Sequence, residues 1–158
     1  MLKSIISILL VFTSACSSPL SKADRLSQED DIREAIFRYQ FNHNASGQQK
    51  NASFYCLSVG ENHNDPTDEL LKRFADHKPP VRKVSDCQVH PFTGVSDNRT
   101  GTRGLILRVS GITWISDKKV KAEGGYYEGS LSSSGNTYTV IKEHGKWTVS
   151  HDRMKWIS

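Results

Sequence analysis

The chain has 158 residues, of which 36% are hydrophobic and 24% charged, and its formal net charge is +4 at pH 7. This length predicts one globular domain. Lysines and arginines are scattered, and the nearest approach to a cluster, Lys118, Lys119 and Lys121, is typical of a solvated strand edge or turn. Because a nucleic-acid surface needs a concentrated basic stripe with aromatic residues, the sequence predicts no nucleic-acid partner.

The first residues predict an export signal. Lys3 supplies a positive charge, residues 5–12 form an apolar run, and small residues at 13–15 precede Cys16. The run is shorter than the roughly 20 apolar residues that cross a bilayer. Residues 1–15 are therefore expected to be a cleaved signal peptide.

Small residues that end on a cysteine resemble the lipobox of bacterial lipoproteins. The resemblance implies that Cys16 begins the mature chain and carries the lipid, with palmitate among its acyl chains, and that residues 16–26 are a tether to the membrane. Ser17 is similar to an outer-membrane address, which implies the periplasmic side of that membrane in the cell envelope. The alternative is an ordinary signal peptide cut after Ala15, which leaves a soluble periplasmic or secreted protein.

An amphipathic helix is predicted over residues 27–41. Ser27 and Asp30 have the spacing of a capping pair. Apolar side chains then recur at helical spacing and would share one face; they are Ile32, Ala35, Ile36 and Tyr39.

The two remaining cysteines are expected to form a disulfide. Cys56 lies in a predicted strand over residues 54–59, and Cys87 in an extended segment over residues 81–89. Between them, Asp65 is predicted to cap a second helix. An oxidising envelope favours the disulfide Cys56–Cys87. A redox or metal site is the less favoured alternative, because no C-x-x-C pair is present.

Four strands are predicted in the carboxy-terminal part, over residues 105–115, 119–130, 136–143 and 146–157, from their β-branched and aromatic residues. His144-Gly145 fits a two-residue hairpin turn. Gly124-Gly125 predicts a bulge or a bend. Residues 132–135 are predicted to be a loop.

Helices followed by a meander predict an α+β domain over residues 27–158, with amino-terminal helices packed on one face of a curved antiparallel sheet. This order resembles the nuclear transport factor 2-like (cystatin-like) superfamily, which implies a cone-like sheet around a cavity. The segments 125–131, 135–140, 145–149, 156–158 and 65–87 look like an uncharacterised family of small exported bacterial proteins. That resemblance implies no activity.

Five side chains are candidates for a pocket on the concave side of such a sheet: Trp114, Tyr126, Tyr138, Trp147 and His151. Ordinary packing of aromatic residues in the core is the favoured alternative. Glu123 and Glu128 are the nearby carboxylates that acid–base catalysis would need. No triad motif, metal-ligand spacing or cofactor fingerprint is present, so no catalytic residue, metal or cofactor is predicted.

The sequence therefore predicts an envelope-anchored lipoprotein of non-catalytic function, which binds a small ligand or another envelope protein. Two alternatives stay open. One is an acid–base enzyme with its site in the sheet cavity. The other is an inhibitor or immunity protein that acts through residues 128–137, where Leu131 lies.

Overall fold

The computed structural model describes residues 19–90 and 93–158; the predicted signal peptide and Cys16 lie outside them. The fold is mixed α+β, with two helices and a larger share of strand. Its elements in chain order are α1 (Lys22–His43), β1 (Tyr55–Val59), α2 (Asp68–Lys72), β2 (Val81–Lys83), a 3-10 turn (Val84–Asp86), β3 (Cys87–His90), β4 (Gly94–Asp97), β5 (Leu105–Ser116), β6 (Lys119–Gly129), β7 (Ser132–Glu143) and β8 (Lys146–Ile157).

The main sheet has six strands in the order β2-β1-β5-β6-β7-β8, and β3 and β4 form a separate two-stranded sheet. Strands β5 to β8 are an antiparallel meander, as predicted. The expectation of an entirely antiparallel sheet is wrong, because β1 pairs in parallel with both β2 and β5. Parallel neighbours need long connections, and the segment that holds α2, β2, β3 and β4 supplies them.

Helix α1 begins at Lys22, earlier than the predicted residue 27. Ser21, not Ser27, is the capping residue: its hydroxyl accepts from the Asp24 backbone N–H (3.2 Å), and the Asp24 carboxylate accepts from the Ser21 N–H (3.2 Å). Ser27 lies inside the helix, where its hydroxyl donates to the Asp24 carbonyl. Residues 22–26 of the predicted tether are therefore helical.

The core lies between α1 and the main sheet. Ile32, Ile36 and Phe37 are fully buried on the helix, at the spacing that the sequence predicts. They meet aliphatic side chains of the sheet, and Leu70 and Phe74 from the α2 region close the same cluster. Leu105, Leu107, Val109, Val120 and Val140 are the fully buried aliphatic residues on β5, β6 and β7.

Three further local predictions change in the structure. Thr67, not Asp65, caps α2, and the Asp65 carboxylate instead accepts from the backbone and hydroxyl of Ser85. Strand β7 begins at Ser132, so the predicted loop over 132–135 is strand. Strand β4 (Gly94–Asp97) lies where the sequence predicts no strand.

The hairpin turn at His144-Gly145 is confirmed, and both residues have positive φ, as a type I′ turn requires. At Gly124-Gly125 the strand is not bulged; the register shift lies across from it in β5, between Val109 and Ile112. Glycine is required at 125 because a Cβ there would lie 2.0 Å from the Ser134 carbonyl oxygen. The pair thus allows a close approach of backbones.

Candidate functional site

An open cleft of about 500 Å³ lies between the carboxy-terminal end of α1 and strands β6, β7 and β8. Ser134, Asn136 and Tyr138 alternate along β7 and therefore project from one face of the sheet. We call this site the Tyr138 cleft. It is lined by Tyr39, His43, Asn44, Ala45, Tyr126, Ser134, Asn136, Tyr138, Asp152 and Met154.

A buried glutamine of α1 holds the hydroxyl of Tyr138. Gln40 is 1% exposed, and its two Nε2 hydrogens are shared among three acceptors: the Arg108 carbonyl (2.9 Å), the Tyr138 hydroxyl (3.1 Å) and the Gly125 carbonyl (3.4 Å). Because the Tyr138 oxygen accepts this bond, its own proton is not used by Gln40. Burial raises the pKa of Tyr138 far above its usual range, although the Gln40 bond acts in the opposite direction. The phenol is therefore a neutral donor.

A chain of side-chain hydrogen bonds orients the carboxylate of Asp152. The Ser134 hydroxyl donates to Asn136 Oδ1 (2.8 Å), and Asn136 Nδ2 donates to Asp152 Oδ1 (2.7 Å). The second carboxylate oxygen, Oδ2, makes no hydrogen bond or ion pair with residues 19–90 or 93–158. Asp152 thus presents an acceptor oxygen that is held in place and unused by the protein.

Aromatic rings form the α1 side of the cleft. Tyr39 stacks on His43 with ring centroids 4.3 Å apart, and it meets Tyr138 edge-on at 6.0 Å. Partial burial raises the pKa of Tyr39, and the negative charge of Asp152 raises it further. Tyr39 and Asp152 both line the Tyr138 cleft.

These groups can hold a small ligand that has both a donor and an apolar part. The carboxylate of Asp152 accepts from an N–H group or attracts a cation, and the faces of Tyr39 and Tyr138 favour a cation or a flat apolar body. Across the part of the chain that the structure describes, no group of three or more His, Cys, Asp or Glu side chains is arranged to hold a metal ion.

The five predicted pocket residues do not come together. Tyr126 and Tyr138 line the Tyr138 cleft. Trp114 and Trp147 instead pack edge-to-face, with ring centroids 5.6 Å apart. Trp147 belongs to the buried core cluster, and Trp114 packs against that cluster. Trp147 also borders a separate cleft of about 470 Å³ beside α1. His151 is exposed and does not line the Tyr138 cleft.

One extra residue in β8 explains the position of His151. Next to the hairpin turn, Lys142 pairs with Trp147 and Val140 pairs with Val149. If this register continued along both strands, His151 would lie opposite Tyr138. A register shift lies between Thr139 and Val140, and it leaves Ser150 as an extra residue on β8. A shift of one residue exchanges the two faces of a strand. Asp152 therefore lies opposite Tyr138, and His151 is on the other face.

Sequence reasoning missed the polar residues of the site. Asn136 and Ser134 could have been found, because they lie at alternate positions before Tyr138 on one strand. Asp152 has no such signal, since its place depends on the bulge. Tyr39 was recognised as part of the apolar face of the helix, but its position at the mouth of a cleft depends on how α1 packs on the sheet.

The two glutamates predicted as nearby carboxylates lie outside the Tyr138 cleft. Glu128 Oε2 accepts from the hydroxyls of Ser46 and Ser132, both at 2.8 Å, beside a smaller cleft of about 180 Å³. Glu123 accepts from Thr137 and forms an ion pair with Lys155. Leu131 lies in the turn between β6 and β7 and is 88% exposed.

The predicted disulfide Cys56–Cys87 is present and joins β1 to the first residue of β3, with Cα atoms 6.6 Å apart. Cys56 is fully buried in a small cluster with Phe54, Val95 and Ile106. Neither described helix is long and apolar enough to cross a membrane.

Comparison with protein-family models, with curated proteins and with solved structures found no match in any of the three.

Proposed function

We propose that this protein is a lipid-anchored envelope protein whose domain binds a small organic ligand in the Tyr138 cleft. The ligand class that fits best carries an amine or another N–H donor next to an apolar ring or chain. Binding, rather than catalysis, is the proposed activity.

One observation carries this proposal: the Asp152 carboxylate, with one oxygen unused by the described residues, lines an open cleft together with Tyr39 and Tyr138. Asp152 Oδ2 has no partner among the described residues, and the Tyr138 proton is left over after Gln40 donates to its oxygen. The chain Ser134–Asn136–Asp152 holds the carboxylate in one orientation, so a ligand would meet a preorganised acceptor. Aromatic rings beside them supply apolar contact area.

The anchor and the detailed architecture belong to the same proposal. Lipid at Cys16 would hold the domain at the periplasmic side of the outer membrane. A curved, cone-like sheet of the nuclear transport factor 2-like kind would account for an open cleft beside α1. The register shifts in β5, β6, β7 and β8 support curvature, because bulges bend a strand and increase its twist.

Nuclear magnetic resonance tests the ligand class directly. Phenethylamine, titrated into ¹⁵N-labelled protein, is expected to shift the amide signals of Asn136, Tyr138 and Asp152. The neutral analogue 2-phenylethanol has a similar shape and lacks the cation. Since a charge-assisted hydrogen bond contributes roughly 1.5–3 kcal/mol, the alcohol should bind at least about ten-fold more weakly.

Two variants locate the interaction. Asp152→Asn should weaken amine binding about ten-fold or more and leave alcohol binding nearly unchanged, because it removes the charge and keeps the shape. The matched control is Glu143→Gln, which removes one exposed carboxylate outside the cleft. Equal affinity for amine and alcohol, or equal effects of the two variants, would contradict a carboxylate-based site.

An acid–base enzyme is the second candidate, because Asp152 and Tyr138 also have the chemistry of a base and an acid in one cleft. Incubation with a metabolite extract from the host envelope separates the two functions. A binding protein enriches a compound without consuming it. Consumption of a compound by the native protein, but not by Asp152→Asn, would establish catalysis instead.

The third candidate is an inhibitor or immunity protein, which the exposure of Leu131 favours. It predicts a stoichiometric complex with a hydrolase or toxin that is lost in Leu131→Ser. The Asp152→Asn variant should form that complex normally, so the two variants distinguish the sites.

A further inference from the structure

Four lysines lie at one end of the domain without an acidic partner. The β5–β6 turn and the β7–β8 turn are at the same end of the sheet, because β5 to β8 are antiparallel neighbours. Lys118 and Lys119 lie at the first turn, and Lys146 at the second. Lys22, in the first turn of α1, is the fourth lysine at this end. All four are exposed, and none forms an ion pair with the described residues.

The start of the described chain is fastened to this same end. The Leu20 backbone N–H donates to Asp117 Oδ2 (3.0 Å), and Arg25 forms an ion pair with Asp117 Oδ1 (3.2 Å). The Lys142 backbone N–H donates to the Lys118 carbonyl (2.9 Å), which joins the two turns. Leu20, near the start of the described chain, therefore lies beside the basic turns.

The acidic groups at this end leave a net positive charge. The Asp117 carboxylate pairs with Arg25 and accepts from the Leu20 N–H, and the Asp24 carboxylate accepts from the Ser21 N–H at the amino-terminal cap of α1. Glu143 is exposed without a partner among the described residues. Lys142 adds a further cation, whose Nζ donates to Gln28 (2.6 Å).

Exposed apolar side chains accompany the lysines. Leu26 in the first turns of α1 is 56% exposed, and Ile115 just before the β5–β6 turn is 55% exposed. Cations beside exposed aliphatic residues are the combination with which a surface binds the interface of an anionic bilayer.

We propose that this basic end of the domain, formed by Lys22, Lys118, Lys119 and Lys146, docks on the surface of an anionic phospholipid bilayer. The inference rests on the proposed anchor at Cys16 for its orientation. Cys16 lies four residues before Leu20, and a chain of that length spans at most about 14 Å. The lipid would hold this end of the domain against the membrane, and the Tyr138 cleft, at the carboxy-terminal end of α1, would lie away from it.

Vesicle flotation of the full chain carrying Cys16→Ser tests the surface without the lipid. The vesicles are phosphatidylcholine alone or phosphatidylcholine with 30% phosphatidylglycerol. The expected result is stronger binding to the anionic vesicles, lost at high salt because the Debye length shrinks. Each lysine near an anionic surface changes partitioning about five-fold. Lys118→Glu with Lys119→Glu should therefore lower it at least about 25-fold.

The matched control is Lys50→Glu with Arg99→Glu, which makes the same change in net charge at exposed residues of other loops. Both variants keep residues 1–15, so a contribution of that segment cancels in the comparison. Equal binding to both kinds of vesicle would overturn the proposal. A loss in the control variant as large as in the lysine variant would also overturn it.

The anchor is tested separately by mass spectrometry of the amino-terminal peptide from the native protein. Absence of the lipid together with anionic-vesicle binding would overturn the anchor and support the surface. Presence of the lipid without anionic-vesicle binding would overturn the surface and support the anchor.

Discussion

Replacing Gln40 with leucine tests whether one buried amide joins α1 to the sheet. Gln40 is 1% exposed and donates to the carbonyls of Arg108 and Gly125 and to the hydroxyl of Tyr138. Leucine has a similar size and cannot donate. The two carbonyls and the Tyr138 hydroxyl would all lose this donor.

The expected loss is about 1–3 kcal/mol of unfolding free energy, because the substitution also removes Gln40 Oε1, a buried oxygen without a partner among the described residues. A buried acceptor without a partner costs roughly 1–3 kcal/mol, and two carbonyls are affected. Burial of the apolar leucine side chain offsets roughly 1–2 kcal/mol of this cost. The bond to Gly125 is long at 3.4 Å, which places the total in the lower part of the range.

Equilibrium unfolding in urea, followed by circular dichroism, measures this loss. The matched control is Gln88→Leu at an exposed position of β3, where a change within about 0.5 kcal/mol is expected. A loss below about 1 kcal/mol for Gln40→Leu would refute the reasoning. It would mean that both carbonyls are satisfied within the sheet and that Gln40 only fills space.

Three further outcomes are expected. Gly125→Ala should destabilise the domain by more than about 3 kcal/mol in urea unfolding, because the alanine Cβ would lie 2.0 Å from a backbone carbonyl oxygen and the residue has positive φ. The control Gly47→Ala, with open space around the added Cβ, should not destabilise the domain. Reducing Cys56–Cys87 should cost about 3–4 kcal/mol, measured with and without a phosphine reductant, since it opens a loop of 31 residues; a loss below 1 kcal/mol would contradict this. Burial raises the pKa of Tyr138, so the unfolded chain loses the phenol proton at a lower pH than the folded protein does. The free energy of unfolding should therefore fall as the pH rises above about 10, and it should fall less steeply in Tyr138→Phe.

Local patterns were sufficient for most of the secondary structure. The apolar spacing from Ile32 predicted the buried face of α1, and β-branched and aromatic runs predicted β5, β6 and β8 to within about two residues. The start of α1 was missed because two capping pairs are available, Ser21 with Asp24 and Ser27 with Asp30. The first gains a reciprocal hydrogen bond and lengthens the helix.

Long-range pairing was harder to predict than local structure. The parallel pairing of β1 with β5 joins segments that are distant in the sequence, and neither strand carries a signal for its partner. The same limit applies to β4, a strand of four residues whose pairing with β3 gives it stability. The order of elements predicted an α+β fold but not the direction of these pairs.

The amino-acid sequence by itself determined the pairing of its two domain cysteines, the positions of the helical face and the hairpin turn, and two of the three tyrosines of the cleft. These features depend on residue type and short spacing. The tertiary structure decided that Asp152, not His151, faces Tyr138. One extra residue at Ser150 exchanges the two faces of β8, and such a shift is set by packing across the sheet, which no local pattern reports.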